Sequence, residues 1–461
     1  MASQNYDLVV IGSGPAGQKA AIAAAKLSKK AAVVERGFAV GGACLHHGTI
    51  PSKTLREAVS YLSGVRHRQL YGAAYRVKDK VSIKDLTFRT ERVIESETNV
   101  VRDQLLRNYV DILPGTGCFI EPKKVLVAQN DGTRILRTDN VVIAVGTKPA
   151  RPAGIEFDDR TIIDSDGLLK LEQIPRTMTF VGAGIIGLEY ATIFRTLGVR
   201  VTVIDGRERP LDFVDDEIED SLYYHMRDEG IVLRFGERVS AVQKADDGQV
   251  LVSMESGKKL RTESLMFAAG REGACADLNL EAIGLKPDKR GRLQVNEFYE
   301  TEVKGVYAVG DIIGFPSLAS TAREQGRLAA LHAMGEDPGK LRRRFPFGVY
   351  TIPEISMVGP NEQELTRDAI PYESGVARFR ELSRVQISGG RTGLLKILFH
   401  RENLKLLAVH IIGESATELV HIGQAIIDHD GSVEYLRDAV FNYPTLAEAY
   451  KVAALDGLNK L

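Results

Sequence analysis

Two stretches of the chain share one pattern of apolar and polar positions. Residues 6–11 (Tyr-Asp-Leu-Val-Val-Ile) run apolar into Gly12-Ser13-Gly14-Pro15-Ala16-Gly17, and an alanine-rich stretch then leads to Ala31-Ala32-Val33-Val34-Glu35. Residues 177–205 repeat it, with Thr-Met-Thr-Phe-Val, then Gly182-Ala183-Gly184-Ile185-Ile186-Gly187, a helical stretch, and Val201-Thr202-Val203-Ile204-Asp205. Short apolar runs without alternation suit strands buried on both faces of a parallel sheet. Each copy therefore predicts strand, glycine turn, helix and strand, and an acid closes it at the same interval, Gly12 to Glu35 and Gly182 to Asp205.

A third buried run, Val306-Tyr307-Ala308-Val309, ends in Gly310-Asp311. The first unit with this return strand predicts a nucleotide-binding domain split in sequence, 1–150 and 275–340, with a second inserted at 151–274. Lys340-Leu341-Arg342-Arg343-Arg344 is charged and linker-like. Beyond it, strands at Leu394–Phe399 and Leu406–Ile412 and helices at Thr417–Asp428 and Leu446–Gly457 predict a third domain at 341–461. The fold class expected is α/β, with two Rossmann-like nucleotide-binding domains and a C-terminal α+β domain, to which the resemblance given below assigns dimerisation.

Bulk properties narrow the field. A chain of 461 residues is too long for one core. A formal net charge of −1 gives no basic excess for nucleic acid or an anionic membrane. The apolar runs, Val141–Val145 among them, fall far short of the roughly 20 residues a membrane span needs. The N-terminus carries no secretory pattern, and the three cysteines, Cys44, Cys118 and Cys275, form no close pair. A cytoplasmic protein is expected.

A lone G-x-G-x-x-G is weak evidence, but here each copy stands between a strand and a helix with an acid about 20 residues on. The glycines allow a tight turn and a close approach to a pyrophosphate, and the helix N-terminus supplies free N–H groups and positive dipole. Glu35 and Asp205 would accept hydrogen bonds from an adenosine ribose. Two dinucleotide sites in one chain imply electron traffic between two redox cofactors. The second site carries a mixed signal. Asp205 favours the free 2′-hydroxyl of NAD(H), whereas Arg207 and Arg209 suit the 2′-phosphate of NADP(H) unless they are solvated loop charges.

Further motifs follow in order: Gly41-Gly42-Ala43-Cys44, Ile50-Pro51-Ser52-Lys53, Ala144-Val145-Gly146-Thr147-Lys148-Pro149 and Gly310-Asp311. With the two fingerprints, the set resembles the pyridine nucleotide–disulfide oxidoreductase family over essentially the whole chain. That resemblance implies FAD at the first site and NAD(H) or NADP(H) at the second. Cofactor contacts would come from Gly12, Gly14, Gly17, Glu35, Arg36, Gly41, Gly42, Cys44, Lys53, Gly117, Gly146, Thr147, Asp311 and Ala319, and from Gly182, Gly184, Gly187, Asp205, Arg207 and Gly270. It further implies a homodimer, or a larger homo-oligomer, in which Tyr443 lines the pocket of a partner subunit.

Two departures from the family carry the functional reading. The redox disulfide of the family is Cys-x4-Cys, and here the stretch from Cys44 reaches Thr49 at the second position. A hydroxyl can form neither a disulfide nor a thiolate. The acid–base histidine of the family is replaced by Tyr443, in Phe441-Asn442-Tyr443-Pro444-Thr445, although Glu448 remains. A phenol titrating near pH 10 is a poor proton shuttle at neutral pH. One branch, the soluble pyridine nucleotide transhydrogenases, is similar in these places and in Tyr350-Thr351-Ile352-Pro353-Glu354-Ile355-Ser356 and His421-Ile422-Gly423-Gln424-Ala425. Unlike that branch, Gly270-Arg271-Glu272-Gly273-Ala274 ends in alanine in place of asparagine.

The resemblance implies hydride exchange between NADPH and NAD+ through FAD, ping-pong at one nicotinamide site. Lys53 would stabilise the reduced flavin and Glu189 would pair with it. Thr49, Tyr443 and Glu448 would occupy the former thiol and proton-carrier positions. Ile185 would leave the nicotinamide pocket less obstructed than an aromatic gate does. The competing expectation is an NAD(P)H:quinone or diaphorase-type reductase of the same family. His46 and His47 have no further ligand at metal-binding spacing, so no metal is expected.

Overall fold

The computed structural model describes every residue except Met1, Ala2, Phe38, Ala73, Arg342, Arg343 and Arg391, and omits the side chains of Ser3 and Gln69. Two residues of the linker-like stretch at 340–344 thus lie outside the described residues. Two compact units emerge. One comprises 1–54, 87–150 and 270–342; the other comprises 55–86, 151–269 and 343–461.

The first unit is built on a sheet whose parallel portion runs Asp111–Pro114, Ala31–Glu35, Ser3–Ile11, Gly132–Ile143. The return strand Val306–Ala308 extends it in parallel beside Val141–Ile143. An antiparallel meander, Thr116–Glu121 and Lys124–Gln129, continues from the first half of Gly132–Ile143. Alternate side chains of a strand face opposite ways, so Leu8 and Val10 enter one apolar cluster while Val9 and Ile11 enter another. That double burial is why the Leu8–Ile11 run is continuously apolar.

The helix Pro15–Lys26 begins with proline, whose missing N–H costs nothing in a first turn. Its buried face is mostly alanine, which lets the helix Ala319–Ala333 come very close. A Cβ on Gly326 would stand 2.0 Å from the Ala16 carbonyl oxygen.

In the second unit a parallel sheet runs Val232–Phe235, Arg200–Asp205, Thr177–Val181, Ser264–Phe267, Ile162–Asp164. A three-stranded antiparallel sheet, Val239–Lys244, Val250–Met254 and Lys259–Thr262, lies within the same sequence segment. Residues 343–461 supply a five-stranded antiparallel sheet with Leu406–Ile412 and Leu394–His400 at its heart. The helices Ala416–Asp428 and Glu448–Leu458 pack their apolar faces into its core cluster. One apolar cluster joins Leu55, Val59 and Leu86 to Phe180, Ile193, Met266, Ile355 and Ile412. That shared core is the reason residues 55–86 group with the second unit, although they fall within 1–150 in sequence.

A buried ion cluster ties the two parts of this unit together. Lys396 is 2% exposed, and its ammonium lies 2.9 Å from Asp215 and Glu362 and 3.2 Å from Glu217. Burial alone would depress the lysine; the Asp215 and Glu362 carboxylates reverse that and raise it well above its ordinary value. The neighbouring His410 is buried and donates from Nε2 to the Pro360 carbonyl at 3.0 Å, and desolvation holds its imidazole below the usual value. No described helix is long and apolar enough to cross a membrane.

Candidate functional site

The first glycine turn is knotted to its acid. The Glu35 carboxylate accepts the Ser13 N–H at 2.9 Å and the Gly37 N–H at 2.8 Å, and the Ser13 hydroxyl also donates to it. That hydroxyl in turn accepts the Gly41 N–H at 2.9 Å, so Ser13 binds the turn, the acid and the 41–42 loop together. Gln18 closes the circuit by donating to the Ser13 carbonyl at 2.8 Å. Sequence reasoning missed both residues. A polar side chain between two fingerprint glycines was the available signal, because it borders the acid whatever the ligand.

Each glycine of the motif answers a different demand. Gly12 has φ +103°, and a Cβ there would lie 2.5 Å from the Ala144 carbonyl oxygen. A Cβ on Gly17 would sit 2.0 Å from the Gly12 oxygen. A Cβ on Gly14 would meet nothing within 4 Å beyond its chain neighbours, so no atom of the described residues requires glycine at that position.

The second turn repeats this geometry. Gly182 has φ +104° and a Cβ would lie 2.5 Å from the Ala268 oxygen; Gly187 would meet the Gly182 oxygen at 1.9 Å; Gly184 is open. Asp205 accepts the Ala183 N–H at 2.7 Å, as Glu35 accepts that of Ser13. The repeat in the sequence is thus a repeat of acid-to-turn bonding.

Arg207 and Arg209 part company here. The Arg207 guanidinium forks onto Asp205, with Nε 3.0 Å from one oxygen and Nη2 2.9 Å from the other, and Nη1 donates to the Pro210 carbonyl. Burial would raise the Asp205 carboxyl, but the guanidinium and the backbone N–H groups of Arg207 and Ala183 outweigh it and hold it below the usual range. Arg209 instead lies 2.8 Å from the fully buried Glu219 and 3.1 Å from both Asp216 and Asp220. Neither arginine is a merely solvated loop charge.

Beyond the first turn, Thr147 enters a short antiparallel pairing of Thr147–Pro149 with Arg271–Gly273, and the Gly146 carbonyl accepts the Ala274 N–H at 3.0 Å. Arg271 clamps Thr147, donating from Nε to the hydroxyl at 2.8 Å and from Nη2 to the carbonyl at 2.9 Å. The Thr147 hydroxyl points at Asp311 across 3.4 Å. Burial raises the Asp311 carboxyl, with Arg271 and Thr147 opposing it. Gln325 accepts the Gly310 N–H at 2.9 Å, fixing the Gly-Asp turn to the helix that Ala319 opens. Gly117 lies on Thr116–Glu121, where a Cβ would crowd Val34 and Ile11. Arg36 pairs with Asp277 at the surface, and the Gly270 carbonyl accepts the Ala150 N–H.

The sequence profile described as pyridine nucleotide-disulphide oxidoreductase matches residues 6–326, and that of the family's dimerisation domain matches 345–454. The chain belongs to the pyridine nucleotide-disulphide oxidoreductase family. A protein of Mycobacterium bovis named soluble pyridine nucleotide transhydrogenase is 54% identical, over 99% of this chain and 98% of that one. One of the same name from Colwellia psychrerythraea is 46% identical, over 100% and 99%. The crystal structure of LpdA from Mycobacterium tuberculosis has a TM-score of 0.89 at 26% identity, covering 98% of this chain and 99% of that one.

Within this family the region after Gly41-Gly42 normally carries two thiols. Here the Cys44 thiol, on the short helix Gly42–His46, is partnered by the Thr49 hydroxyl, at the start of the helix Thr49–Leu62. Burial pushes the Cys44 thiol up, and the bond from Thr49 offsets only part of that. A thiol held protonated is a poor nucleophile. Lys53 stands one helical turn beyond Thr49, on the same face. His46 is engaged by the Val40 carbonyl at 2.9 Å.

In the second unit Glu189 is 3% exposed and accepts the Tyr350 N–H at 2.8 Å. Its neighbour in the helix, Thr192, accepts the Ile352 N–H, so the 350–352 segment is sewn to the helix Ile185–Thr196. Tyr443 is exposed and shares a 2.6 Å hydrogen bond with Ser383. Glu448 opens the last helix, with Oε2 buried and lacking a hydrogen-bond partner among the described residues. No hydrogen bond joins Tyr443 to Glu448 among those residues.

Proposed function

We propose that the chain transfers hydride between NADPH and NAD+ as a flavoprotein of the soluble transhydrogenase type, with no sulfur relay. The observation that carries the reading is threonine at position 49, on the helix that follows Cys44, where a family disulfide would need a second thiol. Full-length relatives bearing the transhydrogenase name support it.

The fit to two dinucleotides rests on Gly14 and Gly184. Each is a glycine that its own chain does not require, at the point where a pyrophosphate would press on the backbone. In the first unit the Gly12–Gly17 turn and Glu35 would hold the adenosine half of FAD, and Asp311 with Thr147 its ribityl end. Bound there, FAD supplies two-electron hydride chemistry. The second turn, with Asp205 and Arg207, would take the pyridine nucleotides in succession. Lys53 supplies fixed positive charge on the helix of Thr49, and hydride transfer needs no side-chain proton carrier, so a tyrosine at position 443 is no handicap. We place the enzyme in the cytoplasm as a homodimer, the latter supported by the match to the family's dimerisation domain.

Anaerobic mixing with NADPH should bleach the visible flavin absorption, and NAD+ should restore it. Bleaching without recovery by NAD+, while a quinone restores the colour, would establish the diaphorase-type reductase instead. Cys44→Ser should keep the exchange rate within about twofold of the parent, because a protonated thiol takes no part in hydride transfer. A collapse of exchange in that variant would return sulfur to the mechanism.

A further inference from the structure

We infer that Arg207 alone, and not Arg209, decides whether the second site accepts a 2′-phosphate, by turning its guanidinium between Asp205 and that phosphate. The inference rests on the reading that one site takes both nucleotides, and it deepens that reading.

The Asp205 carboxylate receives four hydrogen bonds. Two come from backbone, the Ala183 N–H at 2.7 Å and the Arg207 N–H at 2.8 Å. The other two come from the Arg207 guanidinium. If the guanidinium turns away, the backbone pair still holds the carboxylate in place and ionised. The acid is then positioned without its countercharge, as a ribose 2′-hydroxyl needs when it donates to Asp205.

Arg207 has the freedom this requires. Its side chain is 53% exposed, and apart from Asp205 its guanidinium bonds only to the neutral Pro210 carbonyl among the described residues. A phosphate beside an uncovered Asp205 would face like charge. With the guanidinium between them, the same pocket presents a donor fork to the phosphate and no net negative charge.

Arg209 lacks that freedom. It faces Glu219, which is 0% exposed and which already accepts the Leu211 N–H at 2.9 Å and the Tyr223 hydroxyl at 2.6 Å through Oε1. The other oxygen, Oε2, has no hydrogen-bond partner among the described residues, so the ion pair with Arg209 is its compensation. Drawing Arg209 toward a ligand would strand a buried carboxylate. The loop between the two arginines and the helix Asp216–Asp228 is fixed again at Asp215, held by Lys396. Arg209 is therefore an anchor of the loop that presents Arg207.

The test is calorimetric titration of the purified holoenzyme with 2′,5′-ADP and with 5′-AMP, fragments that differ only in the 2′-phosphate. Arg207→Gln should weaken 2′,5′-ADP by about tenfold or more, the loss of a charge-assisted contact, and change 5′-AMP by less than about threefold. Asp205→Asn, which releases Arg207, should shift the ratio toward 2′,5′-ADP. Arg209→Gln should lower the thermal transition and leave the ratio unchanged. Wild-type enzyme that binds both fragments, with an unchanged ratio in Arg207→Gln or a shifted one in Arg209→Gln, overturns this assignment alone. Wild-type enzyme that binds only one overturns the two-nucleotide reading, and the switch falls with it.

Discussion

Lys396→Met should destabilise the second unit by about 3–5 kcal/mol, the usual cost of leaving a buried charge without its partner. Methionine matches the length of the lysine stem and suits the strand Leu394–His400, so packing changes little. The loss falls on Asp215, which is 0% exposed and whose Oδ2 already lacks a hydrogen-bond partner among the described residues. His410 cannot take over as the counterion, because burial disfavours its protonated form. Glu217 and Glu362 are partly exposed and can turn to water. The measurement is denaturant unfolding followed by near-ultraviolet circular dichroism. Lys396→Met/Asp215→Asn should recover part of the loss, because the amide carries no charge to strand. A single-variant effect below about 0.5 kcal/mol, the scale of ordinary surface changes, would mean the pair is not a stabilising unit.

Gly326→Ala should cost the first unit its cofactor before it costs the fold. The added methyl would stand 2.0 Å from the Ala16 carbonyl oxygen, a backbone atom that no rotamer change can move. The helices Pro15–Lys26 and Ala319–Ala333 must then separate, at about 1–3 kcal/mol for an overpacked contact. The first helix carries the turn from Gly12 to Gly17, and Gln325 on the second holds the Gly310 N–H beside Asp311. Both ends of the proposed flavin seat would shift. Purified Gly326→Ala should show a lower ratio of flavin to protein absorbance, and added FAD should restore less activity than in the parent. Stoichiometric flavin in this variant would show that the two helices do not set the seat.

The sequence made the repeated units legible because everything that defines them is local. A strand, a glycine turn, a helix and an acid lie within about 30 residues, and double burial leaves its mark as unbroken apolar runs. The return strand Val306–Ala308 and the strands Leu394–His400 and Leu406–Ile412 were readable for the same reason. Lys396 was not. It is one cation in an apolar strand, and its decisive partner, Asp215, is remote in sequence. The grouping of residues 55–86 with the second unit escaped notice because Leu55, Val59 and Leu86 reveal their side of the core only through contacts with distant residues. Arg207 and Arg209 looked equivalent in sequence, and only the buried Glu219 separates them. At the candidate site the sequence nominated residues, and their bonding to one another was not legible in it.

The open space around Gly14 and Gly184 divides the motif between two kinds of selection. An alanine at Gly12 or Gly17 collides with the polypeptide itself and would be purged from any protein that must fold. An alanine at Gly14 collides with nothing among the described residues of its own chain, so folding is blind to it and only use of the nucleotide can remove it. A lineage that abandoned redox chemistry but kept this architecture as a scaffold would lose the middle glycine of each fingerprint first and keep the outer two.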